Sequence, residues 1–133
     1  MKNSTTDLPF LVVNDDPTIQ RLFRKKLERY GAESVRAWTG GKAIYKAKSH
    51  DFSATFLDLV LPDMDGIELY EKLLETESHY KLPVVFIADT GSRDELAVFN
   101  RLETEKAVSV ISRSALSSGS DRIIPELMLA SKN

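Results

Sequence analysis

Several features that define other classes of protein are missing from this chain of 133 residues. It has no cysteine, which excludes disulfides and thiolate metal sites, and its two histidines, His50 and His79, are too few and too far apart for a zinc cluster. No apolar run approaches the roughly 20 residues needed to cross a bilayer, and residues 1–8 lack the apolar core of a secretion signal. We therefore expect a cytoplasmic protein without membrane contact.

The chain also lacks an excess of positive charge. Its 18 Lys and Arg residues are set against 20 Asp and Glu residues, which gives a formal net charge of −2. A domain with this balance has no nonspecific attraction to nucleic acid or anionic lipid, so we expect no direct binding of nucleic acid. The hydrophobic fraction of 42% and the charged fraction of 29% are ordinary for one globular domain.

Short apolar runs alternate with longer amphipathic stretches from Phe10 onward. This alternation is typical of βαβ units around a parallel sheet. The strands predicted by the apolar runs are 10–13, 34–37, 54–57, 84–87 and 108–111. One compact domain is therefore expected, with helices between its strands.

Capping residues and apolar spacing predict where the helices lie. The first helix should begin at Asp16 and Pro17 and end at Gly31, and the second should begin at Thr39. The residues expected to face the core from the first and third helices are Ile19, Leu22, Phe23, Leu27, Tyr30, Ile67, Leu69, Tyr70, Leu73 and Leu74. A fourth helix is expected to contain Leu96, Phe99 and Leu102.

Carboxylates follow two of the predicted strands. Asp15 and Asp16 follow the first strand, and Asp58 follows the third. The carboxyl ends of parallel strands meet at the edge where open α/β sheets bind ligands. Carboxylates gathered there repel one another unless a hard cation such as Mg²⁺ neutralises them. The arrangement therefore suggests a magnesium site with one acid free for chemistry.

Two segments resemble the signature segments of response regulator receiver domains. Residues 10–16 (FLVVNDD) are similar to the acidic pair after the family's first strand, and residues 56–66 (FLDLVLPDMDG) are similar to its phosphoacceptor strand and loop. The resemblance implies an α/β, flavodoxin-like fold, which is a doubly wound five-stranded parallel sheet with helices on both faces. We expect a stand-alone receiver domain at 9–131 that follows a disordered lead at 1–8.

The same resemblance assigns roles to residues of the site. Asp58 would accept a phosphoryl group from a histidine kinase or phosphotransfer protein, and Asp15, Asp58 and the carbonyl of Val60 would hold Mg²⁺. Asn14 and Asp16 would complete the acidic pocket, although Asp16 is better explained as the cap of the first helix. Asp65 is likewise better explained as a turn residue before Gly66.

Several positions depart from the family's pattern at the places where phosphate is bound and sensed. Asn14 stands where the family usually has an acid, so the affinity for a metal should be reduced. Ala88 stands where the family has a hydroxyl, with Asp89 next to it. Thr90 lies two residues on and could substitute for that hydroxyl only if the loop folds back. Arg113 replaces a lysine that contacts the phosphoryl group, and Val110 replaces a switching aromatic. Phosphoryl transfer could survive these changes while the conformational response weakens.

Three functions are consistent with these residues. The first is a receiver that is phosphorylated on Asp58 and alters a face around its fourth helix and fifth strand for a downstream protein target. The second is a degenerate pseudo-receiver that binds a kinase or forms a homodimer without phosphorylation, with Arg93, Asp94 and Arg101 as candidate contacts. The third is a phosphohydrolase, which is disfavoured because Val60 stands where its general acid should be. We favour the first function and expect no enzymatic activity.

Overall fold

The first four strands alternate with helices along the chain, as the sequence predicts, and a fifth strand is described after them. The computed structural model describes residues 8–76, 83–88, 108–113, 122 and 124–126. The elements are β1 (Phe10–Val13), α1 (Pro17–Arg29), β2 (Ser34–Ala37), α2 (Gly40–Ser49), β3 (Ala54–Asp58), α3 (Gly66–Thr76), β4 (Val84–Ala88) and β5 (Val108–Ser112). Each strand matches its predicted bounds to within one residue. The predicted fourth helix, with Arg93, Asp94 and Arg101, lies outside the described residues, as do residues 1–7 of the predicted lead.

The strands form one parallel sheet in the order β2-β1-β3-β4-β5. This is the flavodoxin-like order of a doubly wound fold, and it confirms the predicted fold class. The register places Val13 beside Leu57 and Asp58 beside Ile87. The residues that follow β1 and those that end β3 and β4 therefore meet at one edge of the sheet.

Helices cover both faces of the sheet because the central strands are apolar on both sides. On one face, α1 packs Ile19, Phe23 and Leu27 against a cluster that includes Phe10 and Phe56. The ring centroids of Phe23 and Phe56 are 4.5 Å apart. On the other face, α2 and α3 pack against a second cluster through Ala43, Ala47, Leu69 and Leu73. None of the helices described is long and apolar enough to span a membrane.

Two of the predicted core residues are exposed, and both predictions were wrong for reasons of helix geometry. Tyr30 is the C-cap of α1, with φ of −100° and ψ of 11°, so it no longer follows the helical period. Gly31 then turns the chain out of the helix with φ of 72°. Leu74 directly follows the buried Leu73, and a one-residue step on a helix rotates a side chain by about 100° away from its neighbour.

The loop between β3 and α3 is fixed at its base by two capping carboxylates. Asp63 accepts hydrogen bonds from the backbone N–H groups of Gly40 and Gly41, both at 2.9 Å, which joins the loop to the start of α2. These two bonds lower the pKa of Asp63 from its ordinary value. Asp65 accepts a hydrogen bond from the backbone N–H of Glu68 at 2.7 Å and so caps α3. The predicted structural role of Asp65 is thereby confirmed.

Gly66 lets α3 begin directly against the backbone of the strand that carries Asp58. A Cβ atom at Gly66 would overlap the carbonyl oxygen of Asp58 and would lie 2.9 Å from the Cα of Leu59. The N–H of Gly66 also donates to the carbonyl of Leu59 at 2.8 Å. Backbone atoms cannot move aside as a flexible side chain can, so only glycine fits here without a shift of β3 or α3.

Gly66→Ala should therefore destabilise the fold by about 1 to 3 kcal/mol, because it overpacks a contact between two backbones. The matched control is Gly41→Ala, whose Cβ would make an ordinary contact of 3.5 Å with Asp63. Urea unfolding followed by circular dichroism measures both changes. Equal midpoints for the two variants would contradict this account of the packing.

Candidate functional site

Asp58 ends β3 with three donors arranged around its carboxylate. The Nη2 atom of Arg113 lies 2.6 Å from Oδ2, and Asn14 donates to the same oxygen from Nδ2 at 3.0 Å. The backbone N–H of Val60 donates to Oδ1 at 3.3 Å. The residue is only 3% exposed, so these donors replace the water that a free carboxylate would bind. Three of the predicted site residues, Asn14, Val60 and Arg113, thus lie around a fourth, Asp58.

Arg113 reaches Asp58 from the residue that directly follows β5. The sheet order places β4 between β5 and β3, and two strand spacings amount to about 10 Å. A long side chain is needed to cover that distance, and the Arg113 side chain keeps 30% of its surface exposed while doing so. Its Nη1 atom also lies 3.9 Å from Oδ2 of Asp16. One guanidinium therefore serves two carboxylates at the edge of the sheet.

Asn14 is fully buried, and both ends of its side-chain amide are used. Its Oδ1 accepts the backbone N–H of Asp16 at 2.7 Å, which fixes the amide so that Nδ2 points to Asp58. An aspartate in this position would set a second negative charge against Asp58 where asparagine supplies a donor. The substitution seen in the sequence therefore reduces the negative charge of the site and adds a hydrogen bond to its central carboxylate.

Gln20 holds the backbone of Asn14 in place through a hydrogen bond. The sequence analysis did not predict this role for Gln20. Its Nε2 lies 2.9 Å from the carbonyl of Asn14, 3.1 Å from that of Val12 and 3.3 Å from that of Ala37. These contacts tie the ends of β1 and β2 to α1. The signal was present, since Gln20 precedes Phe23 and Leu27 on the buried stripe of α1 at helical spacing. A polar residue on such a stripe indicates a buried hydrogen-bonding role.

Burial raises the pKa of Asp58, because a charged carboxylate is costly to remove from water. The N–H of Val60 and the positive charge of Arg113 act in the opposite direction, while the negative charge of Asp15 adds to the rise. The pKa of Asp58 is therefore set by a balance between desolvation, which raises it, and a small number of hydrogen-bond donors, which lower it. Of the three donors on Asp58, Arg113 alone carries a full positive charge, so it is the main charge that opposes the effect of desolvation on this pKa.

The remaining predicted ligands lie around this carboxylate. Asp15 is exposed, and Val60, two residues past Asp58, is also exposed. Asp16 caps α1, since its Oδ1 accepts the backbone N–H of Thr18 at 2.9 Å, which confirms the structural role preferred for it. No group of three acidic or histidine side chains suited to a metal occurs within the ranges that the structure describes.

The oxygen atoms of Asp15, Asp58 and Val60 are nonetheless suitable ligands for Mg²⁺. Oδ1 of Asp58 receives one long hydrogen bond and keeps accepting capacity, and the carboxylate of Asp15 faces solvent. Together with the carbonyl of Val60 these are hard oxygen ligands, and Mg²⁺ usually completes its shell with water. Arg113 on Oδ2 is a competing cation. The residues present thus suit a weakly held Mg²⁺ better than a tightly held one.

The positions expected to bind or sense phosphate differ in the chemical groups that they present. Ala88 is buried at the end of β4, and its methyl group packs in the apolar cluster on the α2 and α3 face. Val110 is half-buried against the same cluster. Asp89 and Thr90 lie outside the described residues. Of the positions that the structure describes here, Arg113 alone presents a group that binds phosphate.

Sequence comparison matches this chain to a protein family and to a longer regulatory protein. The sequence model of the response regulator receiver domain matches residues 10–115. The transcriptional regulatory protein SrrA of Staphylococcus aureus is 36% identical over 81 residues, which cover 61% of this chain and 32% of SrrA. This chain therefore aligns with about a third of the length of that relative.

Structural comparison finds the same fold in solved structures. A sensor protein from Polaromonas sp. JS666 superposes with a TM-score of 0.74 at 25% identity, covering 94% of this chain and 97% of that one. The receiver domain of a sensor histidine kinase from Pseudomonas aeruginosa PAO1, solved with a magnesium ion in its active-site cleft, has a TM-score of 0.76 at 18% identity, covering 91% and 97%. From the matched residues, the strand order and the placement of Asp58, we conclude that this chain belongs to the family of response regulator receiver domains.

Proposed function

We propose that this chain contains a receiver domain, at residues 9–131, that accepts a phosphoryl group on Asp58 in a two-component phosphorelay. Membership of the family implies interaction with histidine kinases or phosphotransfer proteins, and receiver domains are generally signalling modules and not enzymes. The observation that carries the proposal is the convergence of Arg113 and Asn14 on Oδ2 of Asp58. These contacts keep a buried carboxylate available as an anion, which is the state that a nucleophile requires.

In the proposed transfer, a carboxylate oxygen of Asp58 forms a bond to the phosphorus of a phosphohistidine. The phosphorus–nitrogen bond breaks, and its electron pair returns to the imidazole of the donor. Asn14 keeps its hydrogen bond to the carboxyl group throughout and so holds the nucleophile in one orientation. When bound, Mg²⁺ would be held by Asp15, Asp58 and the carbonyl of Val60, and it would offset the negative charge of the phosphoryl oxygens.

Arg113 has a second part in this proposal, because it covers the carboxylate before transfer. The phosphodonor gains access when the guanidinium moves off Oδ2, and its partly exposed side chain can do this without disturbing the core. After transfer the same guanidinium faces a phosphoryl group, which it can bind through two N–H groups. The change of partner from carboxylate to phosphoryl would be the first step of signalling.

The second candidate is a degenerate pseudo-receiver that binds partners without phosphorylation. Two observations favour it. Ala88, where the family has a hydroxyl, places a methyl group in the apolar cluster, and Val110 stands where the family has a switching aromatic ring. A kinase complex or a homodimer would be its natural function. In either case we propose a cytoplasmic protein with a protein target and no direct contact with nucleic acid.

Incubation with a small-molecule phosphodonor and Mg²⁺, read by intact mass, separates the two candidates. The wild-type chain should gain one phosphoryl group, Asp58→Asn should gain none, and Asp63→Asn, which changes a neighbouring acid of the same loop, should gain one. An unmodified wild-type chain beside a receiver that is modified under the same conditions would reject the first candidate and leave the second.

Asn14→Asp tests whether Asn14 lowers the affinity for magnesium. Without Mg²⁺ this variant should be less stable than the wild type, because a hydrogen bond to Asp58 is replaced by a repulsion between carboxylates. An added negative ligand should tighten Mg²⁺ binding about tenfold, or about 1.4 kcal/mol. The measurement is the rise of the unfolding temperature with added MgCl₂, with NaCl at matched ionic strength as the control. Identical magnesium responses in the two proteins would show that Asn14 does not set the affinity.

A further inference from the structure

A groove of about 490 Å³ runs along β2 and the adjoining face of α2. Residues 34–38 line one side, and Lys42 and Lys46 of α2 line the other. It shares no lining residue with the site around Asp58. Its volume falls within the usual range for ligand sites, which is roughly 300 to 1,000 Å³.

The groove follows a strand edge that has no neighbour among the described strands, since β2 is at one end of the sheet order. Towards β1, the carbonyls of Glu33 and Ala37 accept the N–H groups of Phe10 and Asn14. Backbone groups alternate along a parallel strand, so those of Ser34 and Arg36 point away from β1. The carbonyl of Arg36 instead accepts a hydrogen bond from Nζ of Lys46 at 2.6 Å. The outer edge of β2 is therefore covered at this carbonyl by a side chain.

Three of the seven residues that line the groove are basic, and none of the seven is acidic. Arg36, Lys42 and Lys46 line it, and α2 contains no acidic residue. Within the part of the chain that the structure describes, no carboxylate forms an ion pair with any of these three cations. The chain as a whole has a net charge of −2, so this is a local concentration of positive charge.

Trp38 gives the groove an apolar surface next to these cations. Its side chain belongs to a residue that is 39% exposed, and the guanidinium carbon of Arg36 lies 5.8 Å from the centre of its ring. Tryptophan and arginine are the residues that most often dominate the energy of protein interfaces. An exposed indole beside three cations is costly to leave in water and suited to a partner that covers both.

We propose that this groove binds an acidic segment of a partner protein in an extended conformation, paired with the outer edge of β2. The carboxylates of the segment would pair with Arg36, Lys42 and Lys46, and an apolar side chain between them would cover Trp38. Lys46 would release the carbonyl of Arg36 and form an ion pair with a carboxylate of the segment. A backbone N–H of the segment would then donate to that carbonyl. The exchange keeps the number of hydrogen bonds and adds an ion pair.

The elongated lining favours a peptide over a compact anion. The four residues of β2 that line the groove extend over about 13 Å, and the three cations come from two elements, Arg36 from β2 and Lys42 and Lys46 from α2. Main-chain pairing at a free edge provides affinity, and the side chains beside it provide selection for charge. Without such a partner, Lys46 on the edge would limit unwanted pairing between copies of the chain.

Trp38 is the only tryptophan of the chain, so its fluorescence reports directly on the groove. The probe is a short synthetic peptide in which Glu and Val alternate, and its controls are the same peptide with Gln in place of Glu and a version with N-methylated backbone amides. The acidic peptide should cause a saturable change in fluorescence at low salt. The Gln and N-methylated peptides should bind at least about tenfold more weakly, because each lacks one of the two proposed contacts.

Two charge reversals on α2 form a matched pair. Lys42→Glu lies in the groove and should weaken peptide binding about tenfold, whereas Lys48→Glu, exposed on the same helix but outside the lining, should leave it nearly unchanged. Thermal unfolding checks that both variants fold, and Lys42→Gln replaces Lys42→Glu if that variant does not.

Three results would overturn the proposal. The first is an unchanged Trp38 signal at saturating peptide. The second is an equal loss of peptide binding in Lys42→Glu and Lys48→Glu, which would indicate only a diffuse attraction between charges. The third is tighter binding of inorganic phosphate or ATP than of the acidic peptide, which would assign the groove to a compact anion. None of these outcomes depends on phosphorylation of Asp58.

Discussion

The ion pair between Arg113 and Asp58 is the contact on which the functional edge of this domain depends. A carboxylate that is 3% exposed cannot stay charged without donors, and the guanidinium at 2.6 Å is the only charged one of the three donors described around it. The ion pair also joins the end of β5 to the end of β3 across β4. The same bond therefore helps to set the charge of the Asp58 carboxylate, the proposed nucleophile, and the position of the residue that would meet the phosphoryl group.

The rest of the site serves to hold Asp58 in place for that contact. Gln20 fixes the end of β1, which fixes Asn14, and Asn14 orients the carboxylate through Oδ2. On the other side, Gly66 brings α3 against the backbone of β3, and Asp63 ties the following loop to α2. These contacts are buried or involve the backbone, so they define one arrangement of the site, whereas the side chain of Arg113 is partly exposed.

The sequence predicted the fold, and it predicted which residues lie together at one edge of the sheet, for a clear physical reason. Strands buried on both faces produce continuous apolar runs, and residues after such runs must gather at one edge, as Asn14, Asp58 and Arg113 do. The resemblance to the receiver family supplied their roles. Helix faces were predicted less reliably at helix ends, where Tyr30 and Leu74 turned out to be exposed.

The pairing of side chains could not be predicted in the same way. Nothing in the local pattern states that Asn14 donates to Asp58, or that the nitrogen of Gln20 reaches three carbonyls, because these contacts depend on rotamers and on the register between distant strands. The double cap of Asp63 on Gly40 and Gly41 joins residues more than 20 positions apart. The groove along β2 likewise exists only after α2 has packed beside the sheet.

The most direct test of the central claim is a pH titration of the Asp58 side-chain carboxyl group by ¹³C NMR, in the wild type and in Arg113→Ala. If the guanidinium is what keeps this buried carboxylate ionised, its removal raises the pKa of Asp58 further above the wild-type value, while Arg24→Ala, an exposed arginine of α1, leaves it unchanged. The same Asp58 pKa in the wild type and in Arg113→Ala would contradict the account.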